Sequence, residues 1–472
     1  MSAVAPWRWR ALPLGECTGA EVFEALGYPS QPIATLLESP VPPPQDRPQL
    51  ARYSICAGPP RTVGGRQQLY RPPLGQVLPC LRRLLRASGT RGIPARCQHL
   101  PFVGGWLGWL SYDAAREIER LPDCNPDPLP FPVAYWYEPA TFAVLDRPNG
   151  TLWLAATQLA ELDRLQRCCE RTPARTAEPV APGKPARFVP IATQADYERA
   201  VRRAQAYIRA GEIFQANLSL RFTLTTAAAS WSVYRALRAI NPSPFASYWQ
   251  TPWGSAIGCS PERLVKLEGR TAQTRPIAGT RARGRDTQTD RELAAGLQGS
   301  RKDSAEHLML LDLARNDLGR VCEWGSVRAD ERFAIERYSH VMHLVSNVTG
   351  RLRSDWDVID LVRALFPGGT ITGCPKVRCM EIIEELEPVR RNWFYGSCGY
   401  LDRRGYLDLN IAIRTLLHCR AEGRDPAARY RVWGQVGAGI VADSDPKTEW
   451  HESLRKAQAQ LAALGLATDR QR

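Results

Sequence analysis

The segment Phe366-Pro-Gly-Gly-Thr-Ile-Thr-Gly-Cys-Pro-Lys376 constrains this 472-residue chain more than any other. Three glycines, two threonines, two prolines and a lysine fall within eleven residues. No helix or strand runs unbroken through such a stretch, so it predicts a turn between elements. Glycine lets the main chain come close to a ligand, and the freed N–H groups attract anions. Pro375 interrupts the G-x-x-x-x-G-K-[ST] spacing, and no Ser or Thr follows Lys376, so a nucleotide phosphate loop is excluded. Taken alone, the segment fits an ordinary strand-to-helix turn as well as an anion cradle.

Composition narrows the class. At 44% apolar and 23% charged residues the chain reads as an ordinary globular protein with room for one large core or two. It has no apolar run of bilayer length, and Met1-Ser-Ala-Val-Ala-Pro-Trp-Arg-Trp-Arg lacks the pattern of a secretory signal, so a cytoplasmic location is expected. The net charge of +14 comes from 56 Arg and only 6 Lys, scattered without a basic block or an aromatic stripe. That scatter argues against a nucleic-acid or other polyanion-binding module. Thirteen cysteines stand dispersed, apart from Cys168-Cys169, without C-x-x-C pairs or zinc spacing, and are expected as reduced thiols.

Residues 170–189, rich in Pro and small side chains, predict a linker between an N-terminal region (1–169) and a second region (190–465). A helix is expected from Thr193 to Gly211, with Tyr197, Val201, Ala204 and Ile208 at helical spacing. Another is expected to begin at Asp303-Ser304, which puts Glu306 in its first turn near the positive end of the dipole. A third starts at Ser444-Asp445-Pro446 and carries Glu449, Glu452 and Lys456 on one face.

Several further segments look like site material. Pro276-Ile-Ala-Gly-Thr-Arg281 puts Gly279 and Thr280 among turn-prone neighbours. Gly437-Ala438-Gly439 follows a strand-like run, and Arg414 closes another with a guanidinium suited to a carboxylate. Each alone also fits a turn, a bulge or a surface charge. Together they fit an acidic substrate held partly by a hard cation. Mg²⁺ takes one or two protein carboxylates, and Glu306 and Glu452 are the candidate ligands.

Many of these motifs occur in one family. Glu306-His-Leu-Met-Leu-Leu-Asp-Leu-Ala-Arg-Asn-Asp-Leu318, Tyr338-Ser-His-Val-Met-His-Leu-Val-Ser346, the 366–376 segment, Val377–Glu387, Ile411-Ala-Ile-Arg414 and Gly437-Ala-Gly439 resemble the chorismate-utilising enzymes. These are anthranilate synthase component I and aminodeoxychorismate synthase component I. The resemblance implies an α+β fold, a two-domain sandwich of stacked antiparallel sheets with flanking helices. It implies chorismate as substrate and Mg²⁺ as cofactor, held by Glu306 and Glu452. Gly279, Thr280, Phe394, Arg414, Gly437, Ala438 and Gly439 fall where the family binds substrate, and Lys376 is a further candidate contact. His343 and Thr370 match its active-site His and Thr. Glu262 matches the acid that helps the ring hydroxyl leave, a step that needs a proton donor.

The two branches divide the remaining signals. Ala278 stands where aminodeoxychorismate synthases often carry a nucleophilic Lys, and Leu36-Leu-Glu-Ser39 resembles the tryptophan pocket of anthranilate synthase. Ser39, Pro244 and Phe245 would line that pocket, although Pro244-Phe-Ala246 departs from its usual form. Asn217, Gly369, Thr372, Phe394 and Leu407-Asp-Leu-Asn410 resemble the aminodeoxychorismate branch, which is the expected function, on the route to 4-aminobenzoate and folate. Anthranilate synthase is the alternative. No amidotransferase nucleophile elbow is present, so ammonia is expected from a separate glutamine amidotransferase subunit.

Overall fold

The computed structural model describes residues 6–40, 43, 51–89, 92–171, 188–338, 341–421 and 429–465. Most of the expected linker lies outside the described residues, as do Ser339 and His340.

Among the described residues, two large antiparallel sheets form the frame. The first has twelve strands; its middle runs Ala34–Glu38, Phe245–Thr251, Gly254–Ser260, Thr415–Arg420, Tyr430–Ile440, Gln215–Thr226. The second has ten and runs from Ile277–Ala282 through Val341–Arg351, Thr271–Arg275, Arg263–Glu268, Leu407–Asn410, Ser397–Asp402, Gly105–Leu110 and Ala134–Tyr137 to Leu69–Tyr70. Apolar faces of both meet in one core, where Trp109, Trp136, Trp249, Trp393 and Leu264 are buried. The opposite face of the first sheet is covered by helices through Phe23, Leu162, Leu237 and Ala457. The fold is α+β, as expected. Strands from before and after residues 172–187 pair within each sheet: Ala34–Glu38 with Phe245–Thr251, and Gly105–Leu110 with Ser397–Asp402.

Two places carry the chain from the first sheet to the second. Gly254–Ser260 lies in the first sheet and Arg263–Glu268 in the second, so Glu262 sits on the passage between them. Leu407–Asn410 lies in the second and Thr415–Arg420 in the first, so Arg414 sits on the return. The passages are bonded together: Ile411 N donates to the Glu262 carbonyl (3.0 Å), and Cys259 N donates to the Arg414 carbonyl (3.1 Å).

Local caps agree in part with the sequence. Thr193 caps helix Gln194–Arg209 in a reciprocal box with Asp196, and Asp445 caps helix Pro446–Ala463 by accepting from Thr448 N. The helix that carries Glu306 differs from expectation. It spans Arg301–Gly319, because the Ser300 hydroxyl accepts from Asp303 N and starts it earlier. Glu306 is therefore in the second turn, beyond the strongest part of the dipole. Two strand readings also change. Gly437-Ala438-Gly439 lie inside strand Tyr430–Ile440, opposite Ser219, Leu218 and Asn217. Arg414 does not close a strand; its backbone is left-handed at φ +53° between two strands.

Candidate active site

Glu262 and Arg414 enter the site from the neighbouring inter-sheet passages, and strand Val341–Arg351 of the second sheet, paired on both sides, adds His343. Strand Ile277–Ala282 pairs with Val341–Arg351, which sets Thr280 opposite His343. Thr280 Oγ1 and His343 Nδ1 are 2.9 Å apart. Burial, then the nearby Arg414 charge, lowers the imidazole to about 4, so it is neutral at pH 7. The register slips between Ala278 and Thr280, where Gly279 takes φ +73°. A Cβ there would be strained and would stand 2.8 Å from Leu297 Cδ1. Gly279 is thus a bulge glycine that lets the Glu306-bearing helix pack close, with the Asp303 side chain 3.3 Å from that Cβ position.

Glu262 is only 5% exposed. Burial raises its carboxyl to about 8, against the pull of the Thr370 hydroxyl and the Ile277 N–H. At neutral pH it is a protonated acid. Thr370 belongs to the short turn Gly369–Ile371, and its buried Oγ1 lacks a partner at full hydrogen-bond geometry. Asn217 Nδ2 donates to the Thr370 carbonyl (3.4 Å), which ties this turn to the strand facing Gly439.

Arg414 donates to the Lys456 carbonyl. Burial lowers its pKa, and Tyr395 and Glu452 oppose that fall, so both groups lie near the guanidinium. Lys456 Nζ bridges the Glu452 carboxylate (2.9 Å) and the Gly437 carbonyl (2.9 Å). A side chain at Gly437 would strike the Leu218 carbonyl and the Tyr395 hydroxyl, and one at Gly439 would strike the Gln215 carboxamide. These glycines keep the strand surface bare beside the polar groups.

Not every sequence candidate faces this cluster. Lys376 Nζ is bonded to Asp317 (2.7 Å) and to the Leu365 carbonyl (3.1 Å), so its ammonium braces the 366–376 segment from behind. Phe394 is buried with the Arg221 guanidinium 5.4 Å from its ring centroid. Its neighbour Tyr395, at φ +63°, turns its hydroxyl toward Ser219 and Gly437. Sequence reasoning passed over Tyr395 and Gln215, and placed Lys456 on the helix face of Glu452 without a role in the site. The aromatic run Trp393-Phe394-Tyr395 gave no sign of which ring faces the site.

Glu306 lies on the helix whose Asp303 approaches Gly279, and Glu452 on the helix whose Lys456 reaches the Gly437 carbonyl. Their oxygen donors suit a hard cation in kind. Among the described residues no three His, Cys, Asp or Glu side chains form a complete metal cage. Two carboxylates with substrate and water oxygens remain a sufficient donor set for Mg²⁺.

Ser39, Pro244 and Phe245 line one cavity of about 440 Å³ between the two sheets. Arg263 also lines it, paired with Asp408 (2.8 Å) and stacked 5.0 Å from the Phe245 ring centroid. Ser39 Oγ already donates to the Tyr53 carbonyl (2.6 Å).

Residues 46–462 match the family described as chorismate binding enzyme, and the chain belongs to it. It is 56% identical over 466 residues to an anthranilate synthase component I-like protein of Synechocystis sp., covering 97% of this chain and 92% of that one. It is 43% identical over 379 residues to aminodeoxychorismate synthase component 1 of Bacillus subtilis, with 78% of each chain covered. The crystal structure of anthranilate synthase component I from Streptococcus pneumoniae superposes with a TM-score of 0.73 at 31% identity, covering 87% of this chain and 92% of that one. The protein is thus a chorismate-utilising enzyme of the anthranilate synthase and aminodeoxychorismate synthase class. None of its helices, among the described residues, is long and apolar enough to cross a membrane.

Proposed function

We propose that the chain is component I of an aminodeoxychorismate synthase, aminating chorismate at C4 with ammonia. The observation that carries this reading is Asn217, the residue resembling that branch, with its carboxamide on the Thr370 turn beside Gly439. Glu262, protonated at neutral pH, donates its proton to the departing ring hydroxyl. Arg414 pairs with a substrate carboxylate, and Gly437 and Gly439 let the ring approach the strand. His343, neutral and held by Thr280, offers its other nitrogen for hydrogen bonding without adding a charge. Mg²⁺ held by Glu306 and Glu452 would supply positive charge to carboxylate oxygens of the substrate. Ammonia comes from a separate glutamine amidotransferase subunit, and a second enzyme aromatises the product.

One observation favours anthranilate synthase as a second reading. Ala278 is buried opposite Leu344, and an alanine there offers no amine to attack C2 before ammonia adds. Direct attack of ammonia at C2 leads toward anthranilate. Incubating the protein with chorismate, Mg²⁺ and ammonium, then separating products, decides the matter. A product that becomes 4-aminobenzoate only on adding a lyase supports the first reading. Fluorescent anthranilate as the sole product selects the second, and untouched chorismate defeats both. Glutamine in place of ammonium should give no product without a partner subunit.

A further inference from the structure

Beside Glu262 lies a recess of about 30 Å³ that the substrate contacts described above do not use. Its lining runs from Leu313, Ala314 and Asp317 on helix Arg301–Gly319, across Gly369 and Thr370, to Glu262. Leu313, Ala314, Gly369 and Thr370 are partly exposed while Glu262 is buried, so the recess leads from the surface to the carboxyl. Its walls mix apolar side chains, Leu310, Leu313, Leu365 and Ile411 among them, with the polar groups of Glu262, Thr370 and Asp317. Thr370 Oγ1 is buried and meets Glu262 only outside full hydrogen-bond geometry, and a buried hydroxyl so poorly satisfied costs free energy unless something else bonds to it. At the far wall Asp317 is fixed by Lys376 at 2.7 Å. A space of about 10–15 Å³ with two or more polar partners is enough to hold one water.

We propose that this recess is the seat of a single water, bonded to Glu262 and Thr370, and that it receives the oxygen leaving the substrate ring. The proposal rests on the reading that the chain aminates chorismate. The chemistry closes without a further reactant. The ring C4–O bond breaks with its electron pair on oxygen, and that oxygen takes the Glu262 proton and becomes water. Ammonia forms a C–N bond with the ring through its lone pair, and the added nitrogen then loses one proton, which restores Glu262. The sum is substrate plus ammonia giving amine plus water, whichever ring carbon is aminated. A water released between the ring and Glu262 would otherwise lie in the path of the reverse addition. The recess moves it away from the ring toward solvent. Lys376 then acts by holding Asp317 at the end of this route, which gives a role to a lysine that does not reach the cluster.

Two variants and one structure test the idea. Ala314→Leu fills the recess from a partly exposed helix position with another good helix former. Ala314→Ser leaves it open. A high-resolution crystal structure of the wild-type protein should show a water within hydrogen-bond reach of Glu262 and Thr370 Oγ1. Ala314→Leu should lack that water and lose at least about tenfold in kcat, with KM for chorismate within about twofold and thermal unfolding little changed. Ala314→Ser should keep both water and rate. A dry recess in well-ordered wild-type density overturns the proposal, as does full kcat in Ala314→Leu with the recess filled. If the wild-type protein leaves chorismate untouched, the functional reading fails instead, and the crystal water still decides whether the seat exists.

Discussion

Glu262 shows how one residue's surroundings set both rate and stability. In the proposed mechanism its acid form is the working form. With its pKa raised to about 8, kcat/KM should be flat through neutral pH and fall about tenfold per unit above pH 8. A pH–rate profile checks this, and Glu262→Gln should remove both that limb and most of the activity. Stability carries the same sign. The folded pKa lies above the ordinary 4.5, so the contribution is complete below pH 4.5 and is lost as pH rises through 8. The Gln variant should therefore gain on wild type between pH 5 and 8, by on the order of 4 kcal/mol in denaturant unfolding. Thr280→Val tests the other side of the site. Removing the hydroxyl from His343 Nδ1 should cost about 10–100-fold in kcat while KM changes little.

Between residue and fold stands the buried pair of Glu387 and Arg391, which joins elements far apart in sequence. Arg391, 1% exposed, donates to Glu387 (2.6 and 2.9 Å), to the Ile371 carbonyl (2.7 Å) and to the Asn217 carbonyl (2.6 Å). Glu387 in turn accepts from the Ser219 N–H (2.8 Å) and hydroxyl (2.7 Å). The Thr370 turn and the strand opposite Gly437 and Gly439 are thus fixed to one ion pair. Arg391→Met leaves a buried carboxylate uncompensated and should destabilise the protein by about 3–5 kcal/mol, read by urea unfolding. Beyond its i,i+4 ion pair this network was not legible in the sequence, because its other bonds run to main-chain carbonyls and to Ser219 far along the chain and leave no pattern. The caps at Thr193 and Asp445 were legible, since each acts within four residues. The start of the Glu306 helix was misread for the opposite reason. Ser300 and Asp303-Ser304 are all good caps, and the preceding helix Thr287–Gly299 decided which one serves. Glu262 and Arg414 were recognisable as types of residue, but their shared position on the passages between sheets depends on which strands pair.

At the scale of the whole molecule the governing fact is that both sheets draw strands from before and after residues 172–187. Fragments 1–171 and 188–472, expressed separately, should each be poorly folded, because each would expose unpaired strand edges. Co-expressed, they should assemble and co-purify, and co-elution by gel filtration with recovered chorismate consumption checks this. The cavity at Ser39, Pro244 and Phe245 also belongs to this scale, since its walls come from both sheets. A ligand that fills it at 100 times its Kd should add about 2.7 kcal/mol to stability. Thermal shift with tryptophan measures this directly, and no shift at millimolar tryptophan would assign the cavity to some other ligand. The sequence anticipated these three residues as one pocket only through family likeness. It carried no sign that the pocket lies between two sheets.

The two mixed ladders have a consequence for recombination among relatives. Exchanging the first 170 residues for those of another family member replaces one side of each ladder and leaves the other. In Ala34–Glu38 against Phe245–Thr251, Leu36 is held to Tyr248 and Glu38 to Ala246. In Gly105–Leu110 against Ser397–Asp402, Gly108 meets Gly399, and a side chain at either glycine would collide with neighbouring backbone. Chimeric genes joined near residue 180 should therefore succeed or fail according to whether these few facing pairs descend from the same parent, and overall identity between the parents should predict the outcome poorly.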